Sequence, residues 1–112
     1  MARAATTSDA FNAIAEPRRR EILDLLAQRE RSVGDLVELL GVAQPQVSKH
    51  LTVLRTVGMV DVRDEGRRRV YRLNGAALRP VHDWVSRFEQ TWSARFDRLD
   101  AVLADLEKGQ GG

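Results

Sequence analysis

The hydrophobic positions of this chain recur mostly at helical spacings, and the clearest pattern lies between residues 32 and 58. Its first half carries an apolar stripe made of Val33, Leu36, Val37, Leu39 and Leu40. Ser32 suits the N-cap of a helix there, and Gly41 suits its end because glycine accepts a positive φ. This half therefore predicts one short helix that ends in a tight turn.

A second helix is predicted from Gln44, because Pro45 suits a first turn, where its missing N–H is not needed. Four apolar residues follow at spacings of 4, 3 and 3 on one face: Val47, Leu51, Leu54 and Val57. The other face has no acidic residue and carries side chains that bind phosphates or base edges: Gln44, Gln46, Ser48, Lys49, Thr52 and Arg55. A DNA-recognition helix requires this arrangement, which also fits the solvated face of any small helical domain.

Two strand-like runs joined by a turn come directly after this helix. Residues 59–64 and 67–73 form the runs, and Glu65-Gly66 forms the turn. Three arginines stand near its tip, the middle one on the opposite strand face from its neighbours: Arg67, Arg68 and Arg69. A helix pair followed by a hairpin predicts a winged helix, and arginine suits the flanking minor groove. The alternative for these arginines is a charged edge strand that discourages aggregation.

Two helices are predicted ahead of the pair. A short one starts at Ser8 or Asp9 and stops at Glu16, and Pro17 opens the next, PRRREILDLLAQR. Three arginines occupy the first turn of the latter, where the helix dipole disfavours cations: Arg18, Arg19 and Arg20. They either pair with nearby carboxylates or contact a phosphate.

A long helix is predicted from Pro80 to about Glu107, after a short turn that Asn74 can cap. Apolar residues recur along it at spacings of 3 and 4, and it holds both tryptophans. Such a helix exceeds what a small winged domain can cover, so we expect a dimer in which it packs on its two-fold mate and on the first helix. The expected interface residues are Phe11, Ile14, Trp84, Val85, Phe88, Trp92, Phe96 and Leu99.

The composition fits one folded domain. The chain has 112 residues, of which 43% are hydrophobic and 30% charged. We expect a single winged helix-turn-helix domain over residues 1–112, mainly α with a small β-hairpin, ordered over about 9–107 and ending in a flexible tail at 108–112. No stretch has the pattern of a signal peptide or a membrane span, so we expect a cytoplasmic protein with no membrane partner.

The charge distribution is the footprint of a nucleic-acid binder, and together with the predicted recognition helix it leads us to expect double-stranded DNA as the partner. Residues 17–72 hold 12 Lys and Arg against 8 Asp and Glu, whereas residues 73–112 hold 5 against 6. The positive excess thus coincides with the predicted helix pair and hairpin. The chain has no cysteine, no phosphate-binding glycine loop and no histidine in a catalytic arrangement, so we expect no enzyme.

The chain resembles the ArsR-type winged-helix regulators of bacteria in four segments: FNAIAEPRRREILDLLAQRE, VGDLVELLGVAQPQVSKHLTVLRTVGMV, GRRRVYRLN and a long last helix containing DW and TW. These segments span about residues 9–107. The resemblance implies a homodimeric repressor that binds a palindromic operator near its own promoter. It places the recognition helix on residues 44–56 and the wing on residues 63–72. The residues expected to bind DNA are Gln44, Gln46, Ser48, Lys49, His50, Thr52, Arg55, Arg67, Arg68 and Arg69.

The chain also departs from these regulators. Ala43 stands where relatives often carry a capping Ser or Thr. Many relatives release DNA on binding a metal, but cysteine ligands are absent here, and His82 and Asp83 lack further ligands at helix-compatible positions. We therefore expect no metal or other cofactor, and the effector stays unknown. The alternatives are a small-molecule- or metal-responsive sensor with its effector near Trp84 and Trp92, and a winged-helix module that binds protein.

Overall fold

A computed structural model describes residues 7–110, which contain six α-helices and one three-stranded antiparallel sheet. The helices are α1 (Thr7–Ala15), α2 (Pro17–Gln28), α3 (Val33–Leu40), α4 (Gln44–Thr56), α5 (Arg79–Ser86) and α6 (Glu89–Gln110). The strands are β1 (Arg31–Ser32), β2 (Val60–Glu65) and β3 (Arg68–Leu73), in the order β1-β3-β2. The contacts define one compact unit that ends at Val81 and another that begins at His82.

The predicted ends of the chain fall partly outside the described residues. Residues 1–6 and 111–112, which lie outside the predicted ordered range of about 9–107, are not described. At the other limits, α1 begins at Thr7, one residue before the predicted cap, and α6 continues to Gln110, past the predicted end. Within residues 7–110 no helix is both long and apolar enough to cross a bilayer.

The predicted helix pair is confirmed as α3 and α4. Ser32 Oγ accepts the Asp35 N–H and the Asp35 carboxylate accepts the Ser32 N–H, each at 3.1 Å, which is a capping box. Gly41 ends α3 in the left-handed region with a φ of 65°. Pro45 lies in the first turn of α4, whose N-cap residue Ala43 makes no side-chain hydrogen bond. Local signals in the sequence therefore set the limits of both helices.

The core of the first unit holds α4 with its apolar face inward. Val47, Leu51 and Leu54 are buried as predicted, and Val57 is half-buried. They pack with residues from α2, α3 and β2 and with the residue before β2: Ile22, Leu23, Leu26, Leu36, Met59 and Val60. Because rotating α4 would bring these side chains into water, its polar face is fixed towards solvent.

The arginines at the start of α2 close the end of α1. Arg19 donates from Nε to the Ala13 carbonyl oxygen at 2.6 Å, and Arg20 donates to the carbonyls that follow. Unpaired carbonyls at a helix C-terminus are stabilised by cations, which offsets the unfavourable position of these arginines on α2. Arg18 pairs with Glu21 at 3.0 Å. The structure therefore favours internal partners over a phosphate contact for this run.

The strand β1 was not predicted from the sequence. It pairs with β3 through Arg31↔Tyr71 and Ser32↔Val70. Two residues are too few to show an alternating pattern, so the strand depends on the edge that β3 offers. The Arg31 side chain is buried and donates from Nε to the Leu25 carbonyl oxygen at 3.0 Å, which closes the last turn of α2.

The predicted hairpin is present, but its turn lies one residue further along the chain. The last pair of the ladder is Glu65↔Arg68, so the loop is Gly66-Arg67 rather than Glu65-Gly66. Gly66 has a φ of 63°, and a positive φ at the first loop position alone is typical of a type II′ turn. Arg67 therefore belongs to the turn and not to a strand. Arg68 and Arg69 project from opposite faces of β3, as predicted.

The predicted helix over residues 80–107 is interrupted after Ser86. At the end of α5 the Ser86 hydroxyl donates to the His82 carbonyl oxygen at 2.7 Å. Two hydrogen bonds that span three residues instead of four follow directly. The prediction of one continuous helix was wrong because the apolar spacing carries on across this break.

The prediction that Asn74 caps the next turn was also wrong. It precedes a 3₁₀ turn at Gly75–Leu78 but makes no side-chain hydrogen bond to it. The Asn74 amide instead donates to the Gly58 carbonyl oxygen at 2.9 Å, which ties the end of β3 to the end of α4.

Candidate nucleic-acid interface

The outer face of α4 presents to solvent most of the seven DNA-binding residues predicted on this helix. Five of them are exposed: Gln44, Gln46, Lys49, Thr52 and Arg55. No carboxylate occurs between residues 44 and 57, so no negative charge on this helix opposes a phosphate. The face therefore offers amide, ammonium, hydroxyl and guanidinium donors on one rigid helix.

The other two predicted DNA-binding residues of α4, Ser48 and His50, are half-buried and not fully exposed. His50 Nδ1 is buried and has no hydrogen-bond partner among the described residues. Burial, and then the charge of Arg19, lower the pKa of His50, which favours its neutral ring. The Ser48 carbonyl oxygen accepts the Thr52 hydroxyl at 2.9 Å. These two side chains are less accessible than the five on the outer face.

The three arginines of the hairpin tip are all exposed. Arg67 lies in the turn, where its side chain adds to the tip. Arg68 Nη2 lies 3.4 Å from Asp35 Oδ2, and Arg69 Nε lies 3.4 Å from Asp64 Oδ1. Exposed ion pairs of this geometry are weak, so a phosphate can replace the carboxylate as the partner of either arginine.

Two surface grooves join α4 to the hairpin. The first encloses about 370 Å³ and is lined by Leu51, Thr52, Arg55, Thr56, Arg69 and Tyr71. The second encloses about 440 Å³ and is lined by Ser32, Val33, Gly34, Gln44, Arg67, Arg68 and Arg69. The fold therefore brings Thr52 and Arg55 next to Arg69, and Gln44 next to the three wing arginines, whereas Gln46, Ser48, Lys49 and His50 line neither groove.

Further ion pairs, which were not predicted, link the hairpin to the residue before β1 and connect two side chains of β2. Arg63 Nη1 lies 2.6 Å from Glu30 Oε2, and Nη2 lies 3.0 Å from Glu65 Oε2. The hydrogen bond with Glu30, followed by that with Glu65, raises the pKa of Arg63. Glu30 precedes β1 and is 33 residues from Arg63, so no local pattern in the sequence reveals the pair.

The second unit exposes a row of large apolar side chains along its helices. Eight of them are between 40% and 61% exposed: Trp84, Phe88, Trp92, Phe96, Leu99, Val102, Leu103 and Leu106. The Trp84 and Phe88 rings meet edge to face at 5.2 Å, and the Phe88 and Trp92 rings stack at 6.4 Å. A contiguous exposed row of this size is typical of a protein–protein interface.

The possible metal ligand His82 lies on exposed α5. Its Nδ1 is 3.4 Å from Asp83 Oδ1, and its Nε2 is 3.5 Å from the Ser86 hydroxyl. Within residues 7–110 no three His, Cys, Asp or Glu side chains come together as a group that could hold a metal ion. Zinc sites take three or four protein ligands, so the donors around His82 in one chain do not fit zinc.

Comparison with known proteins identifies relatives of this chain. The family described as Bacterial regulatory protein, arsR family, matches residues 16–62. The chain is 32% identical over 81 residues to the transcriptional repressor SdpR of Bacillus subtilis, covering 72% of this chain and 90% of that protein. It is 40% identical over 79 residues to the HTH-type transcriptional regulator Rv2034 of Mycobacterium tuberculosis, covering 70% and 74%.

A solved structure shows the same fold. It is the homodimeric winged helix-turn-helix DNA-binding domain of a possible ArsR-family transcriptional regulator from Mycobacterium bovis. The two chains are 34% identical with a TM-score of 0.61, and the match covers 74% of this chain and 77% of the other. The predicted winged helix-turn-helix fold and the predicted class, a regulator rather than an enzyme, are thereby confirmed. The chain belongs to the ArsR family of bacterial DNA-binding transcriptional regulators.

Proposed function

We propose that this protein is a dimeric repressor that binds an inverted-repeat operator and senses no metal. The observation that carries the proposal is the exposed face of α4, which lacks carboxylates and shares two grooves with the wing arginines. The repressor SdpR, which the chain resembles over most of its length, supports repression as the mode of regulation. The operator of a bacterial gene lies in the cytoplasm, which is where we propose that the protein acts.

The proposal divides the contacts into two kinds. Gln44, Gln46, Ser48 and Lys49 read base edges in the major groove, since amide and ammonium groups match the adenine and guanine acceptors. The remaining predicted residues, on α4 and the wing, contact phosphates or the flanking minor groove: His50, Thr52, Arg55, Arg67, Arg68 and Arg69. Phosphate contacts set the position of the protein, and only the base contacts select a sequence.

Dimerisation is proposed through the apolar row of the second unit. Trp92, Phe96, Leu99, Leu103 and Leu106 recur at spacings of 4, 3, 4 and 3, which is the seam of a helix that packs on another helix. Trp84, Val85 and Phe88 extend the proposed contact, and α1 is proposed to add Phe11 and Ile14. A two-fold axis places two recognition helices about 34 Å apart, one turn of DNA, and so requires an inverted repeat.

Independence from metal is proposed on the donor chemistry of the chain. It has no cysteine, and within residues 7–110 no three His, Asp or Glu side chains form a group that could hold a metal ion; His82 lies near Asp83 and the Ser86 hydroxyl. A metal bound by so few donors in one chain would be held weakly. Zinc added to the protein–operator complex is expected to leave the bound fraction unchanged, and release of the operator would overturn this part of the proposal.

The experiment for the whole proposal is selection of bound sequences from a random duplex pool, followed by binding at two salt concentrations. We expect one inverted repeat, bound at least a thousandfold more tightly than random DNA, on the order typical of specific regulators. Weak and steeply salt-dependent binding to every sequence would mean that the positive surface acts without specificity, and would contradict the proposal.

A further inference from the structure

The two strand arginines at the wing tip are already paired with carboxylates of their own chain. Arg68 Nη2 lies 3.4 Å from Asp35 Oδ2 on α3, and Arg69 Nε lies 3.4 Å from Asp64 Oδ1 on β2. The side chains of Arg68 and Asp35 remain 62% and 42% exposed. Water and salt screen such a pair, so an incoming phosphate can displace the carboxylate.

Asp35 is held in place by its role at the start of α3. Its Oδ2 accepts the Ser32 N–H at 3.1 Å, while its own N–H donates to Ser32 Oγ at 3.1 Å. The hydrogen bonds with Ser32, more than the charge of Arg68, lower the pKa of Asp35, so its carboxylate is ionised at neutral pH. A fixed negative charge therefore lies next to the groove that Gln44 and the wing arginines line.

We propose that Asp35 and Asp64 set the affinity for DNA by standing in for phosphates at Arg68 and Arg69 in the free protein. The proposal rests on the proposed function, because it requires these arginines to contact phosphate. When DNA binds, a phosphate oxygen replaces a carboxylate oxygen at each arginine. Each carboxylate is then left close to the negatively charged phosphate backbone of the DNA. Both effects weaken the wing contact and reduce the counterions that it releases.

Weaker wing contacts change the relative contributions of phosphate and base contacts to the affinity for DNA. Phosphates carry no sequence information, so the carboxylates weaken binding to operator and to random DNA by the same factor. The bases read by α4 then contribute a larger share of the operator affinity, and the protein spends less time on bulk DNA.

The test measures the Kd of the whole protein for a labelled random-sequence duplex over a range of salt concentrations. Asp35→Asn removes the charge but keeps an oxygen for the Ser32 N–H. Asp61→Asn is the matched control, because it removes the same charge from a carboxylate that pairs with Arg72 at 3.6 Å, at the other end of the hairpin. We expect Asp35→Asn to bind about two- to fivefold more tightly than Asp61→Asn at low salt, with a steeper salt dependence.

The pairing predicts that the gain depends on Arg68. In an Arg68→Ala background, Asp35→Asn is expected to give no more tightening than Asp61→Asn gives. Equal gains with and without Arg68 would overturn the proposal, because the effect would then be one of net charge. Weaker binding of Asp35→Asn would also overturn it, since Asp35 would then orient Arg68 for DNA.

A second variant separates this result from folding and from the proposed function. Asp64 lies on β2 and caps no helix. Asp64→Asn is expected to bind the random duplex more tightly than wild type, and to lose that gain in an Arg69→Ala background. This pair of measurements decides the proposal if Asp35→Asn does not fold. If wild-type protein binds no duplex, or if both arginine variants leave Kd and salt dependence unchanged, the failure lies in the proposed function. If the arginine variants weaken binding and neither asparagine variant strengthens it, only this inference fails.

Discussion

Arg19 Nε donates to the Ala13 carbonyl oxygen at 2.6 Å, so that the first turn of α2 closes the last turn of α1. A second donor of the same guanidinium, Nη2, reaches the Asn12 carbonyl oxygen at 3.1 Å. A short helix such as α1 is unstable alone, and the arginine supplies partners for carbonyls that the helix leaves unpaired. The arginine run therefore has a structural role in joining two helices.

Replacement of Arg19 tests that role. We expect Arg19→Ala to lower the free energy of unfolding by about 1–2 kcal/mol, because it removes two hydrogen bonds from a charged donor in a half-exposed position. Arg18→Ala is the control, since Arg18 makes an exposed ion pair with Glu21 that is expected to contribute little. Urea unfolding of the two variants measures both values, and equal losses would contradict the assigned role.

The half-buried ring of His50 predicts a loss of stability in mild acid. Its pKa in the folded protein lies below the ordinary value of 6.5, first because of burial and then because of Arg19. As the pH falls below 6.5, the unfolded chain takes up a proton that the folded chain resists, so the free energy of unfolding decreases. The decrease in the free energy of unfolding between pH 7.5 and 5.5 is expected to be smaller in His50→Gln than in wild type. The control is His82→Gln, which removes an exposed histidine; an identical decrease in all three proteins would contradict the prediction.

Much of the fold could be predicted because its signals are local. Ser32, Gly41 and Pro45 act on the backbone within a few residues of themselves, and the helices that they predict are the ones observed. The interruption after Ser86 could not be predicted in this way, because the apolar spacing continues unchanged across it. Periodicity shows which face of a helix is apolar and does not show whether its hydrogen bonds are continuous.

The site shows the same division between local and distant causes. The polar face of α4 follows from helical spacing, so its residues could be predicted one by one. The partners of Arg63 and Arg68 could not, because Glu30 and Asp35 are each 33 residues away and lie beside β1, which pairs with β3 in the folded chain. The sequence therefore did not reveal the carboxylate partner of Arg68, whereas Asp64, the partner of Arg69, is only five residues away in the same hairpin.

The exposed row of α6 predicts that a single charge abolishes the dimer. Leu99 is in the middle of the row, so Leu99→Asp would bury a carboxylate against the mate and is expected to shift the protein to a monomer. Ala101→Asp is the matched control, because a residue two positions further along a helix lies on the opposite face. Sedimentation velocity distinguishes the two, and a dimer that survives Leu99→Asp would exclude this helix as the interface.

Gln46 is expected to select a base. An exposed glutamine on a recognition helix can bond adenine through two atoms, so Gln46→Ala is expected to weaken operator binding by about 1–3 kcal/mol. Binding to random DNA is expected to stay unchanged, because no phosphate contact is lost. Gln90→Ala, the same substitution on α6, serves as the control and is expected to bind the operator as wild type does.

Replacement of Lys49 by alanine is expected to weaken operator binding while the dimer stays intact. The chain has one other lysine, Lys108 in the last turn of α6, so Lys108→Ala controls for the loss of one positive charge. If Lys49 reads a base, Lys49→Ala loses discrimination at one position of the operator and binds random DNA nearly as well as wild type. If it contacts phosphate instead, both duplexes are bound more weakly by one factor, and the salt dependence becomes shallower by about one unit. Loss of the dimer in sedimentation would contradict either role, since Lys49 would then act through assembly rather than through DNA.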